Sequence, residues 1–391
     1  MVARKWWDPR RTYARLAAVR AAVPRRTLRW IGGAAAGGVA LWLLSACAAM
    51  QTVDYYWQSA AGQFDLLSRA RSIHDVIDET DDAGLKIRLT RIRDMRTFAS
   101  RELGLPANGS YTRYTDLGRP YVAWNVFATP ELSLTPRSWC FPVAGCVNYR
   151  GYFKETEAKD EADRLKSDGE DVYVGAVPAY STLGYFDDPI LSSFVRWPET
   201  DVARLIFHEL AHQLIYLPGD SVFNESYASM VEEVGLERWL TAQHSGELLA
   251  QVERTKRQRA MFRTLVGETR LRLAAIYASK GSAAQKRRQK ADAFAAMKHA
   301  YDEAKTSDPG LAGYERWFDN TPNNASLTAI ALYSDRVPAF REILREEGDD
   351  LGRFYRRVRE LTRMPKDQRE RILDDYARRG APPPPSQKAS L

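Results

Sequence analysis

The sequence has few of the residues on which small disulfide-rich or repetitive proteins depend. Its 391 residues include three cysteines and five histidines, too few for a framework of several disulfides. Glycine (24) and proline (19) are not abundant enough for a collagen-like or low-complexity chain. With 45% hydrophobic residues the chain can bury a sizeable core, so we predict one large domain or two lobes rather than a disordered protein.

A surplus of one charge sign is missing from most of the chain. The formal net charge is +7, but residues 1–46 hold nine Lys and Arg residues against one acid, Asp8. The rest of the chain therefore carries a net charge of −1. Binding to phosphates needs a basic surface, so the composition predicts no nucleic-acid partner.

A short apolar stretch over 30–46 follows the basic start of the chain. Glycines interrupt it, and it falls short of the ~20 residues that span a bilayer, so it is more typical of a secretory signal than of a membrane helix. Leu44-Ser-Ala-Cys47 resembles a bacterial lipobox. The resemblance implies a signal peptide over 1–46 and a lipid on Cys47, the first residue of the mature chain. It also implies a protein that faces the periplasm, at the outer membrane more than the inner because Ala48 is not Asp; an uncleaved anchor helix is the alternative.

The other two cysteines, Cys140 and Cys146, stand six residues apart with Pro and Gly between them. In an exported protein this spacing predicts a disulfide that closes a short loop. Two free buried thiols are the alternative.

The pattern along the mature chain predicts an α+β protein that is predominantly helical. The predicted strands and helices alternate up to about residue 200, and nearly everything after that point is helical. We therefore predict one domain over 47–380, with an α+β front over about 47–200 and a helical part over about 200–380, followed by a disordered tail over 381–391. The predicted helices before residue 200 are 51–72, 84–103 and 155–167, the predicted strands are 121–127, 147–153 and 171–177, and two long helices are predicted within 246–305.

The chemistry concentrates in a predicted helix that contains His208-Glu-Leu-Ala-His212, with Thr200 as its expected N-cap. Residues i and i+4 share one helix face, so His208 and His212 converge on one point. Two imidazoles at this spacing are typical of a zinc site, and Glu209 lies beside the position that a water would take. Two unrelated core or surface histidines are the alternative.

A catalytic zinc site has three protein ligands, so a third is needed besides His208 and His212. The candidates lie in the segment that follows. Leu217-Pro-Gly-Asp220 ends the first helix and predicts a return helix that runs antiparallel to it. A ligand near His212 must then lie in the first turn or so of that helix, which favours Glu225. Glu232 and Glu233 are further along, and we expect them to be exposed or to hydrogen-bond a ligand histidine.

These residues carry a resemblance. His208–His212 followed by Asn224-Glu-Ser-Tyr-Ala228 resembles the gluzincin metallopeptidases, although Glu225 follows His212 by 13 positions, a shorter spacing than in the best-known members. Further segments are similar to a family of bacterial lipoproteins regarded as zinc aminopeptidases, and the likeness covers most of 47–345. Those segments are 110–114, 139–153, 183–189, 323–325 and 337–340.

The resemblance implies a zincin-like fold, in which a small mixed sheet has an edge strand beside the zinc helix and the C-terminal lobe is helical. It also implies a Tyr or His that stabilises the oxyanion, for which Tyr180 and Tyr333 are the candidates. In zinc peptidases the substrate pairs with an edge strand upstream of the zinc helix, a position held here by Gly175 and Ala176. An ordinary edge strand is the alternative.

The sequence therefore predicts a zinc-dependent peptidase of the cell envelope that acts on peptides as an aminopeptidase. An envelope metalloendopeptidase and a non-catalytic lipoprotein scaffold are the alternatives. Asp187 and Asp188 are expected to form a turn; their alternative role is to bind the free amine of a substrate.

Overall fold

The computed structural model describes residues 55, 58–141, 145–179, 181–331 and 336–380. The chain divides into two compact units, 1–61 and 62–391. In the first unit the described residues, 55 and 58–61, are helical. The predicted leader, Cys47 and the predicted tail over 381–391 lie outside the described residues. Everything below concerns the second unit.

Three small sheets form the β part of the described chain. The first has the order β1-β2-β8, in which β2 pairs antiparallel with β1 and parallel with β8. The second has the order β6-β3-β7 and is antiparallel, and β4 and β5 form a separate hairpin. The strands are β1 (Arg71–Ser72), β2 (Arg113–Thr115), β3 (Ala123–Pro130), β4 (Trp139–Phe141), β5 (Gly145–Val147), β6 (Arg150–Tyr152), β7 (Glu170–Val177) and β8 (Ile190–Leu191).

Helices make up most of the rest, as the sequence predicts for a predominantly helical α+β protein. Residues 62–68 are helical. The labelled helices are α1 (Ile73–Glu79), α2 (Ala83–Arg101), α3 (Glu155–Ser167), α4 (Glu199–Leu214), α5 (Ser221–Ala242), α6 (Gly246–Ala278), α7 (Ala283–Ser307), a 3₁₀ turn (Pro309–Tyr314), α8 (Glu315–Asp319), α9 (Asn324–Ala331), α10 (Val337–Glu346), α11 (Leu351–Thr362) and α12 (Lys366–Gly380). Within the described ranges, no helix has both the length and the apolar character that crossing a bilayer requires.

The predicted secondary structure differs from the observed one mainly at the start of the unit. The helix expected over 51–72 ends at residue 68, and Arg71–Ser72 form β1 instead. Arg71 and Ser72 pair with Tyr114 and Arg113, so a long-range ladder replaces the local helical pattern there. Later helices agree closely with the pattern, since α3 covers the predicted 155–167 and α6 and α7 are separated near residue 280.

Two apolar cores organise the helices. The larger one lies between α2, α4, α5 and the C-terminal helices α10–α12, and it contains Phe207, Tyr227 and Phe340. The smaller one is formed by α6, α7 and the segment after them, around Phe262 and Tyr301. Because α4 and α5 pack into the larger core through their apolar sides, this packing fixes the direction in which their polar sides face.

Helix α5 runs back along α4, and a glycine sets their separation. Gly235 of α5 faces Phe207 of α4 and Leu103, and a Cβ added to Gly235 would lie 2.9 Å from the Phe207 ring and 2.8 Å from the Leu103 side chain. Real Cβ atoms do not approach other atoms this closely, so Gly235 permits a contact that a larger residue would prevent. Because Phe207 directly precedes His208, this contact also fixes the position of the two histidines relative to α5.

We therefore predict that Gly235→Val lowers the free energy of unfolding by about 1–3 kcal/mol, because it overpacks the contact between α4 and α5. Gly267→Val is the matched control, since Gly267 is also helical and a Cβ there meets nothing within 4 Å. The measurement is urea denaturation followed by circular dichroism. Equal losses in the two variants would contradict the packing argument.

Candidate metal centre

Helix α4 places two histidines and a glutamate at the edge of the larger core. Val202, Ile206 and Leu210 are buried on its apolar side. His208 and His212 lie one turn apart on the opposite side, as the spacing predicts, and their rings are 4.7 Å apart. The helix begins after Pro198 rather than after the expected cap Thr200, so the first turn includes one more carboxylate, Glu199.

The turn between α4 and α5 is fixed by one buried amide. Asn224 accepts a hydrogen bond from the Leu217 backbone N–H (2.7 Å) and donates one to the Leu217 carbonyl (2.8 Å). Asp220 caps α5 by accepting from the Phe223 N–H, and Arg369 of α12 pairs with Asp220 at 2.7 Å. The residue after Asn224 is Glu225, so these contacts position its carboxylate.

The structure brings His208, His212 and Glu225 together. Their three candidate ligand atoms lie within 4.8 Å of one another. The Nε2 atoms of the two histidines are 3.1 Å apart, and Glu225 places its carboxylate oxygens 3.3 Å from Nε2 of His208 and 3.6 Å from Nε2 of His212. The other ring nitrogen of His212, Nδ1, is buried and has no hydrogen-bond partner among the described residues.

A second carboxylate orients His208 from behind. Glu232, two turns beyond Glu225 on α5, approaches Nδ1 of His208 at 2.9 Å. It also pairs with Arg204, one turn before His208 on α4. When the Nδ1–H of His208 donates a hydrogen bond to Glu232, the lone pair is on Nε2 and points towards His212 and Glu225.

The charges around the two imidazoles are unbalanced in favour of the carboxylates. Burial disfavours the charged form of His208, but Glu225 and Glu232 outweigh it and hold the pKa of His208 well above its usual value. Burial likewise opposes ionisation of Glu225, yet His208 and His212 lower the pKa of Glu225 to about 2. The protein groups thus draw positive charge into this point.

The donor set fits a zinc ion. Two imidazole nitrogens and one carboxylate are the usual ligands of a hydrolytic zinc site, with room for a fourth ligand. Donors that share a tetrahedral ion at the usual bond lengths are roughly 3.3 Å apart, close to the 3.1, 3.3 and 3.6 Å separations observed here. A dication would also replace the proton that the carboxylates otherwise hold on His208.

Glu209 lies beside the three ligand candidates and is available for proton transfer. It lines a cavity of about 600 Å³ together with His208, Glu232 and Arg204. Burial raises the pKa of the Glu209 carboxyl, although His208 and His212 act in the opposite direction. The pKa of a carboxyl group raised in this way moves towards the range in which it can both accept and donate a proton.

The other residues predicted for the site lie in different places. Gly175 and Ala176 are in β7 and line a second cavity, of about 380 Å³. Cys140 and Cys146 are joined by a disulfide across the β4–β5 hairpin. Tyr180 and Tyr333 lie outside the described residues.

The Asp188 side chain holds a loop together. Its carboxylate is buried and accepts hydrogen bonds from the Thr182 N–H and hydroxyl and from the Ser181 hydroxyl. These bonds close the loop over 181–188, as expected for a turn, and they use the oxygens that a substrate amine would need. Asp187 lies against Gly109.

Arg204 and Tyr216 are two neighbours of the site that the sequence prediction did not include. Arg204 stands four residues before His208, so the same helical spacing that pairs the histidines could have identified it. Tyr216 follows the end of α4, is 45% exposed and has its ring centre 6.2 Å from that of His212. Tyr216 is also four residues after His212, so the same spacing could have identified it, although α4 ends at Leu214 and the extended residue Ile215 places Tyr216 outside the helix.

Comparison with known families gives one match. The model of the family described as Putative aminopeptidase matches residues 54–373. This span contains α4, α5 and the whole triangle of His208, His212 and Glu225. No curated protein and no solved structure matches the chain.

We predict that Glu232→Gln weakens zinc binding by about ten- to a hundredfold, because an amide orients His208 less strongly than a carboxylate does. Glu233→Gln is the matched control, since Glu233 faces away and pairs with Arg341 and Lys256. Competition with a chromophoric chelator measures the zinc dissociation constant. Similar affinities in the two variants would mean that Glu232 does not support the ligand.

Proposed function

The chain belongs to this aminopeptidase family, and from that membership together with the His-His-Glu triangle we propose that it is a zinc-dependent aminopeptidase of the gluzincin type. Family membership supports peptide-bond hydrolysis and a peptide substrate. The zinc ion, the zincin-like fold and the removal of N-terminal residues are the parts that we propose.

The observation that carries the proposal is the convergence of three ligand atoms from two antiparallel helices, with a free carboxylate next to them. A purely structural zinc site usually has four protein ligands and needs no base. Here the described chain supplies three, and Glu209 lines the adjacent cavity. This combination favours an enzyme over a scaffold.

His208, His212 and Glu225 would hold the zinc ion, which when bound polarises a scissile carbonyl and lowers the pKa of water. Glu209 then accepts a proton from the attacking water and donates it to the leaving amine. Its raised pKa, caused mainly by burial, suits a group that must be deprotonated and reprotonated in each turnover.

Two further roles belong to the proposal. Tyr180 and Tyr333 stay candidates for the hydroxyl that stabilises the oxyanion. Strand β7 pairs only with β3 within the described ranges, so the other edge of Gly175 and Ala176 is available to the backbone of a peptide.

We predict that Glu209→Gln lowers kcat by at least about a hundredfold while zinc content and thermal stability stay close to the wild type. Glutamine keeps the shape of the side chain but cannot accept the proton. The measurements are hydrolysis of amino-acid p-nitroanilides and zinc content by atomic emission. N-acetylated versions of the same substrates separate an aminopeptidase, which should not cleave them, from an endopeptidase.

Glu225→Gln supplies the contrast, because a neutral amide is a poor zinc ligand and this variant should lose the metal. If Glu209→Gln lost zinc and Glu225→Gln kept it, the two roles would be reversed. Absence of hydrolysis by the zinc-loaded wild type across these substrates would refute the enzymatic proposal.

We also propose that the protein is anchored to the bacterial cell envelope through a lipid on Cys47 and faces the periplasm. The support is the lipobox-like Leu44–Cys47 after a basic and apolar leader. Cys47→Ser should then abolish lipid labelling and move the protein from the membrane fraction to the soluble periplasmic fraction. A Cys47→Ser protein that keeps its leader and its membrane association would instead favour the uncleaved anchor.

A further inference from the structure

Arg259 of helix α6 lines both the cavity at the candidate metal centre and a second cavity beside β7. It lines the cavity of about 600 Å³ that contains His208 and Glu209. It also lines the cavity of about 380 Å³ that contains Gly175 and Ala176 of β7. A peptide that enters either cavity therefore meets this guanidinium group.

The ion pairs around Arg259 leave it weakly compensated. The neighbouring Arg204 is already paired with Glu232, which holds His208 as well. Arg259 itself pairs with Asp201 at 3.6 Å, and the Asp201 side chain is 40% exposed, whereas the Arg259 side chain is 31% exposed. Burial and the charge of Arg204 lower the pKa of Arg259, and the opposing charges of Glu232 and Asp201 do not fully offset them.

The second cavity adds another cation and an apolar wall. Arg263, one helical turn after Arg259, lines it and forms no ion pair within the described part of the chain. Phe262 and Tyr314, stacked with their ring centres 4.1 Å apart, stand beside both arginines. A rigid aromatic surface next to a guanidinium suits a group that is anionic at one end and apolar along its length.

We propose that the substrate is a peptide that carries a carboxylate close to the scissile bond, and that Arg259 is the residue that selects it. The guanidinium stays charged at neutral pH and binds a carboxylate through two parallel hydrogen bonds. This inference rests on the proposed peptidase function and names its substrate class. The carboxylate has two sources, an acidic side chain or the C-terminus of a short peptide.

Three substrate pairs test the proposal on the zinc-loaded, full-length protein. Glu-Ala-Ala-amide against Gln-Ala-Ala-amide and Ala-Glu-Ala-amide against Ala-Gln-Ala-amide examine an acidic side chain. Ala-Ala-Ala as the free acid against its amide examines the C-terminus. We expect kcat/KM to favour the acid in at least one pair by about tenfold or more, the value of a charge-assisted hydrogen bond.

Variants of Arg259 then test whether this residue causes the preference for the acid over the amide. Arg259→Gln should remove the preference by lowering kcat/KM for the acid about tenfold more than for the amide, while Arg259→Lys should retain part of the preference. Arg257→Gln is the matched control, because Arg257 is an exposed arginine two residues away on the same helix. A structural role for Arg259 would instead weaken hydrolysis of acid and amide alike. Thermal melts check that the variants are folded.

Binding gives a readout that does not depend on turnover. In a Glu209→Gln background the peptides stay intact, and calorimetry should show weaker binding of the acid, by about tenfold, when Arg259→Gln is added. Equal kcat/KM within each pair, or a preference that survives Arg259→Gln, would overturn this inference and leave the peptidase proposal standing. No hydrolysis of any of these peptides or of the p-nitroanilides would refute the peptidase proposal itself, and this inference with it.

Discussion

The close antiparallel packing of α4 against α5 is the constraint on which the site depends. Gly235 lets the backbone of α5 approach Phe207, and the buried Asn224 amide fixes the turn that reverses the chain at Leu217. These two contacts act near opposite ends of the site. Between them, Glu225 is brought to His212 and His208, and Glu232 is brought to the rear of His208. A change in helix separation of one ångström would separate donor atoms that now lie 3.1–3.6 Å apart.

Burial of several charged groups at one point has a large cost unless each has a partner. Here each carboxylate on the inner face of α5 has one: Glu225 faces two imidazoles, and Glu232 faces His208 and Arg204. The arrangement leaves an excess of negative charge that favours a cation, which is the electrostatic requirement of a metal centre. Glu209 differs from the two because it lines the cavity and forms no ion pair within the described residues, so its carboxylate is available to exchange protons with a substrate.

The long helix α6 connects the two cores of the protein. Phe262 anchors it in the smaller core, while Arg259, one turn earlier, reaches the cavity beside His208. Helix α6 therefore does more than extend the helical part of the fold. Through Arg259 it adds a positive charge to the cavity that Glu209 and Glu232 also line.

The sequence by itself determined the local features. The spacing of His208 and His212 follows from the 3.6-residue period of a helix, and the turn residues before Ser221 predicted where the chain reverses, so Glu225 could be proposed as their partner from a single sequence. Family resemblance extended this to a peptidase. The tertiary structure decided what depends on contacts between distant segments: that Glu232 rather than Glu233 hydrogen-bonds His208 and also pairs with Arg204, the β1 ladder in place of the expected helix, and the position of Arg259 in two cavities. Helical periodicity shows which residues of one element share a face, but which face of another element they meet is set by packing across the whole core.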